Sequence, residues 1–210
     1  MSIPLVLLGA GGHAKTLLDA LLARGIRPIG ILDNDPTLHG QRIMGVEVIG
    51  DDQAIPREPG QIFLVNGIGS TRSTAFRQAV FERFKTEGFE FSSVIHPASV
   101  ISPFARLHEG VQVMAGAIVQ PFAEVEPNVI LNCKVSVDHD CWIGPSVHLA
   151  PGVTLSGDVR IGEGTHVGTG ATIIQGINIG KRCLIGAGAV VVRDVPDGSI
   201  VMGVPARSRH

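Results

Sequence analysis

The chain has 210 residues, 44% of them hydrophobic and 17% charged, with 27 glycines and few aromatics. A formal net charge of −2 leaves no polycationic footprint for nucleic acid. Three cysteines, Cys133, Cys141 and Cys183, neither pair evenly nor carry metal-ligand spacing, which excludes a disulfide framework and predicts free thiols in a reducing cytoplasm.

Ile3–Leu8 is apolar but too short to span a membrane and lacks a basic leader, so it reads as a first strand of a soluble protein. The glycine loop Gly9-Ala10-Gly11-Gly12-His13 follows it. Ala14 to Arg24 then carries helical spacing through Leu17, Leu18, Leu21 and Leu22, and stops at Gly25. Pro28–Leu32 reads as a second strand and Gly45 to Ile55 as a short strand and turn. Ile62–Val65 is a buried strand ending in Asn66-Gly67-Ile68-Gly69-Ser70, and Thr71 to Glu87 reads as a helix. Strands and helices alternating in this way predict a small α/β domain with a parallel sheet over residues 1–92.

From Ile95 to Val191 every sixth residue is a branched aliphatic, seventeen positions without exception. The residues two earlier, from Ser93 to Ala189, are all small or aliphatic. A period of six fits neither an amphipathic helix nor a two-faced strand, but it fits a hexapeptide β-helix. Residues two apart share a strand face, so each hexad lays one small and one bulky side chain inward. Cys141 and Cys183 fall in the inward small series. Three hexads close a triangular coil of eighteen residues, and seventeen hexads make between five and six coils, here assigned to residues 93–210. A last strand, Ile200–Met202, leads to Gly203-Val204-Pro205-Ala206-Arg207.

Two regions carry candidate chemistry. Gly9-x-Gly11-x-x-Ala14, between a strand and a helix, with Asp33 after the second strand, imitates a dinucleotide fingerprint. Only one mononucleotide half precedes the repeats, which predicts a site for one nucleoside diphosphate. Gly11, Gly12 and His13 would lie at the phosphates, with Asp33 and Asn34 at the base or ribose. A tight turn without a ligand is the plain alternative. Gly67, in the neighbouring loop, is equally a binding or a turn residue. In the repeats, Gly157 is eighteen residues beyond His139 and should stack one rung above it, about 5 Å away. A bare peptide N–H beside an imidazole suits an oxyanion and a proton acceptor.

Gly9 to Lys15, the hexads, Asp138-His139-Asp140 and Gly203 to Arg207 together resemble the bacillosamine- and perosamine-type sugar N-acetyltransferases. They also resemble the related sialic acid O-acetyltransferases. The resemblance covers nearly the whole chain. It implies a left-handed β-helix, a homotrimer, a nucleotide-linked amino sugar on the amino-terminal domain, and acetyl-CoA along the β-helix between subunits. It implies His139 as base with a following carboxylate, here Asp140 where the family often has glutamate, so that either Asp138 or Asp140 could orient the ring. Gly157 then binds the acetyl oxygen. His148, Thr169, Ala187, Pro205 and Arg207 become coenzyme contacts, with Arg209 as an alternative to Arg207, and Asn132 a sugar contact. Pro151, Thr169, Ala187 and Pro205 step by eighteen and are expected to share one edge. His148 and His166 should stack facing outward. The γ-carbonic anhydrases hold zinc with three histidines on this fold, but no third histidine falls in register here, so His166 is expected to be an exposed stacked side chain and no metal is expected.

The expected activity is acetyl transfer to the 4-amino group of a UDP- or GDP-linked amino-dideoxy sugar in surface glycan (O-antigen) synthesis, without a covalent intermediate. O-acetylation of a sugar such as sialic acid, and a non-catalytic nucleotide-sugar scaffold, are the rival expectations.

Overall fold

A computed structural model describes residues 4–56 and 58–208; Ile3 and Arg209 lie outside them. The amino-terminal part contains β1 (Leu5–Leu8), α1 (Gly12–Ala23), β2 (Gly30–Leu32), β3 (Arg42–Ile43), β4 (Val46–Gly50), β5 (Phe63–Asn66), α2 (Ala75–Thr86) and β6 (Glu90–Phe91). Its sheet runs β3-β4-β2-β1-β5-β6. Only the β3–β4 hairpin is antiparallel. β1 is the central strand, and all four of its residues are buried, as a parallel strand covered on both faces requires. Leu5 and Leu7 pack on one face with Leu17, Leu18 and Leu21 of α1; Val6 and Leu8 pack on the other with Phe84 of α2.

The Gly45–Ile55 segment forms the expected short strand and turn, and one helix starts later than the sequence suggests. The Gly45–Ile55 segment supplies β4, which pairs in parallel with β2 and closes a hairpin with β3. α2 starts at Ala75 rather than Thr71 because the residues before it are held elsewhere: Ser70 Oγ meets His148, and Thr74 Oγ1 donates to the Gly164 carbonyl at 2.8 Å.

From Val94 the chain winds into a three-faced prism of two-residue strands, and each of the seventeen periodic aliphatics is the second residue of one. Neighbouring coils register eighteen residues apart, Leu131 on Val113 and Leu149 on Leu131, all in parallel. The aliphatics from Val113 onward are buried; Ile95, Ile101 and Leu107 at the open first coil are only partly so. From Leu107 to Ile185 the residue three beyond each aliphatic turns the corner with positive φ, among them Gly110, Gly116, Asn128, Asp140, Gly152 and Asp158. Glycine, asparagine and aspartate adopt this conformation at least cost.

The eighteen-residue register ends after Val191. Ile200–Met202 stacks on Leu184–Ile185 with Val201 over Ile185, a step of sixteen. The position above Ala187 therefore falls to Gly203, and Pro205 does not continue the Pro151, Thr169, Ala187 edge.

The first prism face (outward residues Val94, Gln112, Ile130, His148, His166 and Leu184) is the one the amino-terminal domain covers. Val94 and the neighbouring Met114 join the α1 side of the domain core. Most of the protein's buried polar side chains lie in this seam: Asn66, Thr74, Arg77, Gln112, Asn128, Ser146, His148 and His166.

Candidate functional site: an interdomain cleft and a prism corner

A cleft of about 670 Å³ opens along the seam, lined by Gly9, Gly11, Gly12, His13, Thr16, Asp33, Gly67–Thr71, Asn132, His148 and Pro151. Seven of the residues proposed from sequence thus converge here: Gly11, Gly12, His13, Asp33 and Gly67 from the domain, and Asn132 and His148 from the prism. Asn34 lines a smaller adjoining cavity of about 160 Å³ with Asp33 and Asp52.

The glycines differ in what requires them. A methyl on Gly67 would come within 2.5 Å of the Leu8 carbonyl, so close packing fixes that residue. Gly11 caps α1 with φ −73°, which any residue adopts. A methyl on Gly11 or Gly12 would meet no protein atom within 4 Å. Neither conformation nor packing demands these two glycines, and they leave the helix amino terminus bare toward the cleft.

Polar contacts pin the rest. Asp33 accepts the Ala10 N–H at 2.7 Å and the Asp35 N–H at 2.9 Å, so it braces the glycine loop while lining the cleft. His13 Nε2 lies 2.6 Å from Gln112 Oε1, and the Gln112 amide donates to the Asn66 carbonyl at 2.6 Å, tying the domain to the prism. Burial above all lowers the His13 pKa to about 4, against the Gln112 hydrogen bond, which raises it, and with a smaller lowering from the Arg77 charge. His148 is driven lower still, by burial and then by the adjacent His166 and His13. Both are neutral at pH 7. Arg77 is itself fully buried: one guanidinium nitrogen donates to the Asn128 carbonyl, while Nε and Nη2 have no partner among the described residues. Burial pulls its pKa to about 9, so it keeps its charge behind the cleft.

His166 corrects the sequence reading. It does stack on His148, with ring centroids 4.9 Å apart, but it is 5% exposed, because the domain's Ser70 lies over both rings.

The second locus is the corner between the second and third faces. His139 Nδ1 lies 2.8 Å from Asp140 Oδ2, while Asp138 Oδ1 instead accepts the His139 backbone N–H at 2.8 Å. The positive φ of Asp140, 60°, swings its carboxylate back to the ring it follows. Asp140 is therefore the orienting carboxylate. Its hydrogen bond raises the His139 pKa, and the charges of Asp138, Asp140 and Asp158 add to the effect. With Nδ1 engaged, Nε2 is the free nitrogen. It lies over Gly157: a methyl there would come within 2.6 Å of Nε2 and 2.5 Å of Cε1. Among the described residues the Gly157 N–H makes no backbone hydrogen bond, while its carbonyl accepts from Gly176 at 3.0 Å. A proton acceptor and an unspent donor thus share one ledge, the His139 ring exposed and Gly157 buried beneath it.

Thr169 stacks on Pro151 and Ala187 on Thr169 along the edge between the first and second faces, through Gly170 N–H to Pro151 O and Gly188 N–H to Thr169 O. Arg207 sits in the exposed strand Arg207–Ser208, which returns antiparallel to Ile200–Met202. On the third face His108, Glu124 and Glu126 bring ligand atoms within 4.8 Å of one another, exposed or half-buried and partly occupied by Trp142 Nε1.

Residues 4–84 match the family described as the PglD N-terminal domain, and residues 158–193 the bacterial transferase hexapeptide (six repeats). The acetyltransferase domain of PglB from Neisseria gonorrhoeae superposes with a TM-score of 0.91 at 36% identity, over 99% of this chain and 100% of that one. PerB from Caulobacter crescentus, in complex with CoA and GDP-perosamine, gives a TM-score of 0.88 at 37% identity, over 99% and 97%. The chain belongs to the hexapeptide-repeat sugar N-acetyltransferase family. WeeI from Acinetobacter baumannii shares the fold at 26% identity, with a TM-score of 0.78 over 99% of this chain and 100% of that one. No curated protein matches.

Sequence reasoning about this acetyltransferase missed Ser70, Arg77 and Gln112. A signal for Gln112 was present. The outward positions of the first face read Val, Gln, Ile, His, His, Leu, whereas those of the third read Arg, Glu, Trp, Arg, Asn, a solvent-facing set. The contrast marks the first face as covered. Nothing in the sequence pairs Ser70 with histidines seventy-eight and ninety-six residues away.

Proposed function

We propose that this protein transfers the acetyl group of acetyl-CoA to the 4-amino group of a nucleotide-linked amino-deoxy sugar. The observation that carries the reading is the His139 ring, fixed through Nδ1 by Asp140 and set with Nε2 over the bare Gly157 peptide. Nε2 accepts a proton from the amine as its nitrogen forms a bond to the thioester carbon. The Gly157 N–H donates to the oxygen that becomes negative. Collapse breaks the C–S bond, and the proton on Nε2 passes to the leaving thiolate, giving amide and CoA with His139 restored. No side chain at the ledge is a nucleophile: Cys141 is buried, and its thiol pKa is pushed up to about 11. Gly11, Gly12, His13, Asp33 and Gly67 hold the nucleotide, with Asn34 at its base or ribose and Asn132 at the sugar. His148, Thr169, Ala187 and Arg207 hold the coenzyme. Solved relatives support this assignment, since one is in complex with CoA and GDP-perosamine and another with acetyl-CoA.

The same reading includes a homotrimer that sets one subunit's ledge against its neighbour's Thr169–Ala187 edge. Val100, Phe104 and Phe122 are each about two-thirds exposed on or beside the second face, an apolar strip suited to burial between subunits. A role in O-antigen synthesis goes with it, as does a cytoplasmic location, which the three free thiols support. The test is thiol release from acetyl-CoA with a panel of UDP- and GDP-linked 4-amino sugars. Turnover that His139→Asn abolishes is expected; turnover only on sugar hydroxyls, or none, would refute the reading.

A further inference from the structure

We infer that Ser70 and His166 are positioning residues that lock His148 as a ring with its proton on Nδ1, fastening the domain's 67–71 loop to the prism where the cleft meets both. The inference rests on the cleft being the nucleotide-sugar site, and it concerns residues that act through His148, of which Ser70 also lines the cleft.

The direction of every bond in the chain Asn132–His148–Ser70–His166 is determined. Asn132 Oδ1 accepts the Cys133 N–H at 2.8 Å. Exchanging the amide oxygen and nitrogen would set two donors face to face, so Nδ2 is the atom that faces His148 Nε2 at 3.3 Å. An amide NH₂ only donates; His148 Nε2 therefore accepts. Burial keeps His148 uncharged, which leaves its single proton on Nδ1, 2.7 Å from Ser70 Oγ. Ser70 accepts that proton's bond, and its own hydrogen is left for His166 Nδ1 at 3.2 Å. His166, also held neutral by burial, carries its proton on Nε2. Reversing any one bond would leave two donors or two acceptors in contact.

Two consequences follow for the cleft. Both His148 nitrogens are spent inside the protein, so this ring offers ligands its carbon edge and shape, and the reaction's proton acceptor is His139 alone. His13, His148 and His166 form one run of neutral rings, with centroids 6.3 Å and 4.9 Å apart and the Arg77 charge close behind. Burial opposes charging any of them; Arg77 adds to this at His13, and the two neighbouring rings and Arg77 add to it at His148. Ser70 is the only one of the four linked residues on the domain side, between the cleft-lining Gly69 and Thr71. Releasing it frees that wall of the cleft from the prism.

The test combines a spectrum with a binding constant. In ¹⁵N-histidine-labelled protein, His148 should show a protonated Nδ1 and an unprotonated Nε2 at pH 7. Ser70→Ala and His166→Phe should each convert that signature to a tautomer mixture or to Nε2–H. Each should raise the Kd for GDP or UDP (whichever the wild type binds) and the KM for the nucleotide sugar about tenfold, with kcat changed less than threefold. Ser70→Thr, which keeps the hydroxyl, should restore both. An Nε2–H tautomer in the wild type, or a Ser70→Ala protein with unchanged tautomer and Kd, overturns the lock. Should the wild type turn over no nucleotide amino sugar, the proposed function falls, while the tautomer and the Kd still decide this inference. If Ser70→Ala does not fold, His166→Phe and the wild-type spectrum decide it.

Discussion

Replacing Gly157 with alanine separates ring placement from every other feature of the ledge. The added methyl would stand 2.5 Å from Cε1, 2.6 Å from Nε2 and 3.2 Å from Nδ1 of His139. Carbon atoms rest at about 3.5–4.0 Å, so the ring must withdraw by roughly 1 Å. It can do so cheaply, because the His139 side chain is 59% exposed and Gly157 lies outside the left-handed region that would penalise alanine. Stability should therefore change by no more than about 0.5 kcal/mol, a Tm shift within about 2 °C for a chain of this size. The peptide N–H survives the substitution. What is lost is the position of Nε2, and a displacement of about 1 Å at a reacting group costs about 100-fold in rate, or about 2.7 kcal/mol of barrier. Thiol release followed with a chromogenic disulfide, together with a thermal melt, measures both quantities. A Gly157→Ala enzyme that keeps its Tm and retains kcat within threefold would refute the claim that the ring must sit over this residue.

Three further outcomes follow from the geometry. Asp140 raises the His139 pKa, and the proposed proton acceptor must be neutral, so Asp140→Asn should move the acid limb of the kcat–pH profile to lower pH. Its plateau should fall by about 10- to 100-fold, and a limb that stays put would exclude Asp140 as the partner. His13 has a folded pKa of about 4 against an ordinary 6.5, so between those values the unfolded chain holds more protons, and stability drops as pH falls through that window. The contribution is up to about 3 kcal/mol at pH 4, visible in urea midpoints and reduced in His13→Asn; a midpoint that does not fall between pH 7 and 4.5 would contradict the buried neutral ring. Phe122→Asp, on the exposed apolar strip, should shift the mass in light scattering from about three times 22.1 kDa toward a single chain, with loss of activity. An unchanged trimer would place the interface elsewhere.

The sequence alone determined the prism. Seventeen aliphatics at a strict interval of six can be buried together only if three short strands close each coil, because the two-residue alternation of a strand leaves no other way to point one small and one large side chain inward from every hexad. That same count placed His139 beneath Gly157 without reference to any coordinates. The alternation of strand and helix likewise determined the parallel sheet. The count failed after Val191, where the last coil shortens to sixteen residues and Gly203 takes the edge position expected of Pro205. Periodicity cannot report a change of step once the repeat itself has stopped.

What only tertiary structure decided is how the two parts meet. Which aspartate turns toward His139 depends on a positive φ at residue 140, a property of the corner rather than of the residue order. His166 faces outward from its own coil, as the spacing requires, yet it is buried, because an outward face of a prism is surface only until another domain covers it. The seam that covers it consists of hydrogen bonds between residues far apart in the chain, such as His13 to Gln112, Asn66 to Asn128 and Ser70 to His148. Apolar packing repeats along a sequence and can be read from it. A buried polar group needs one particular partner at one distance and direction, and that partner can come from anywhere in the chain.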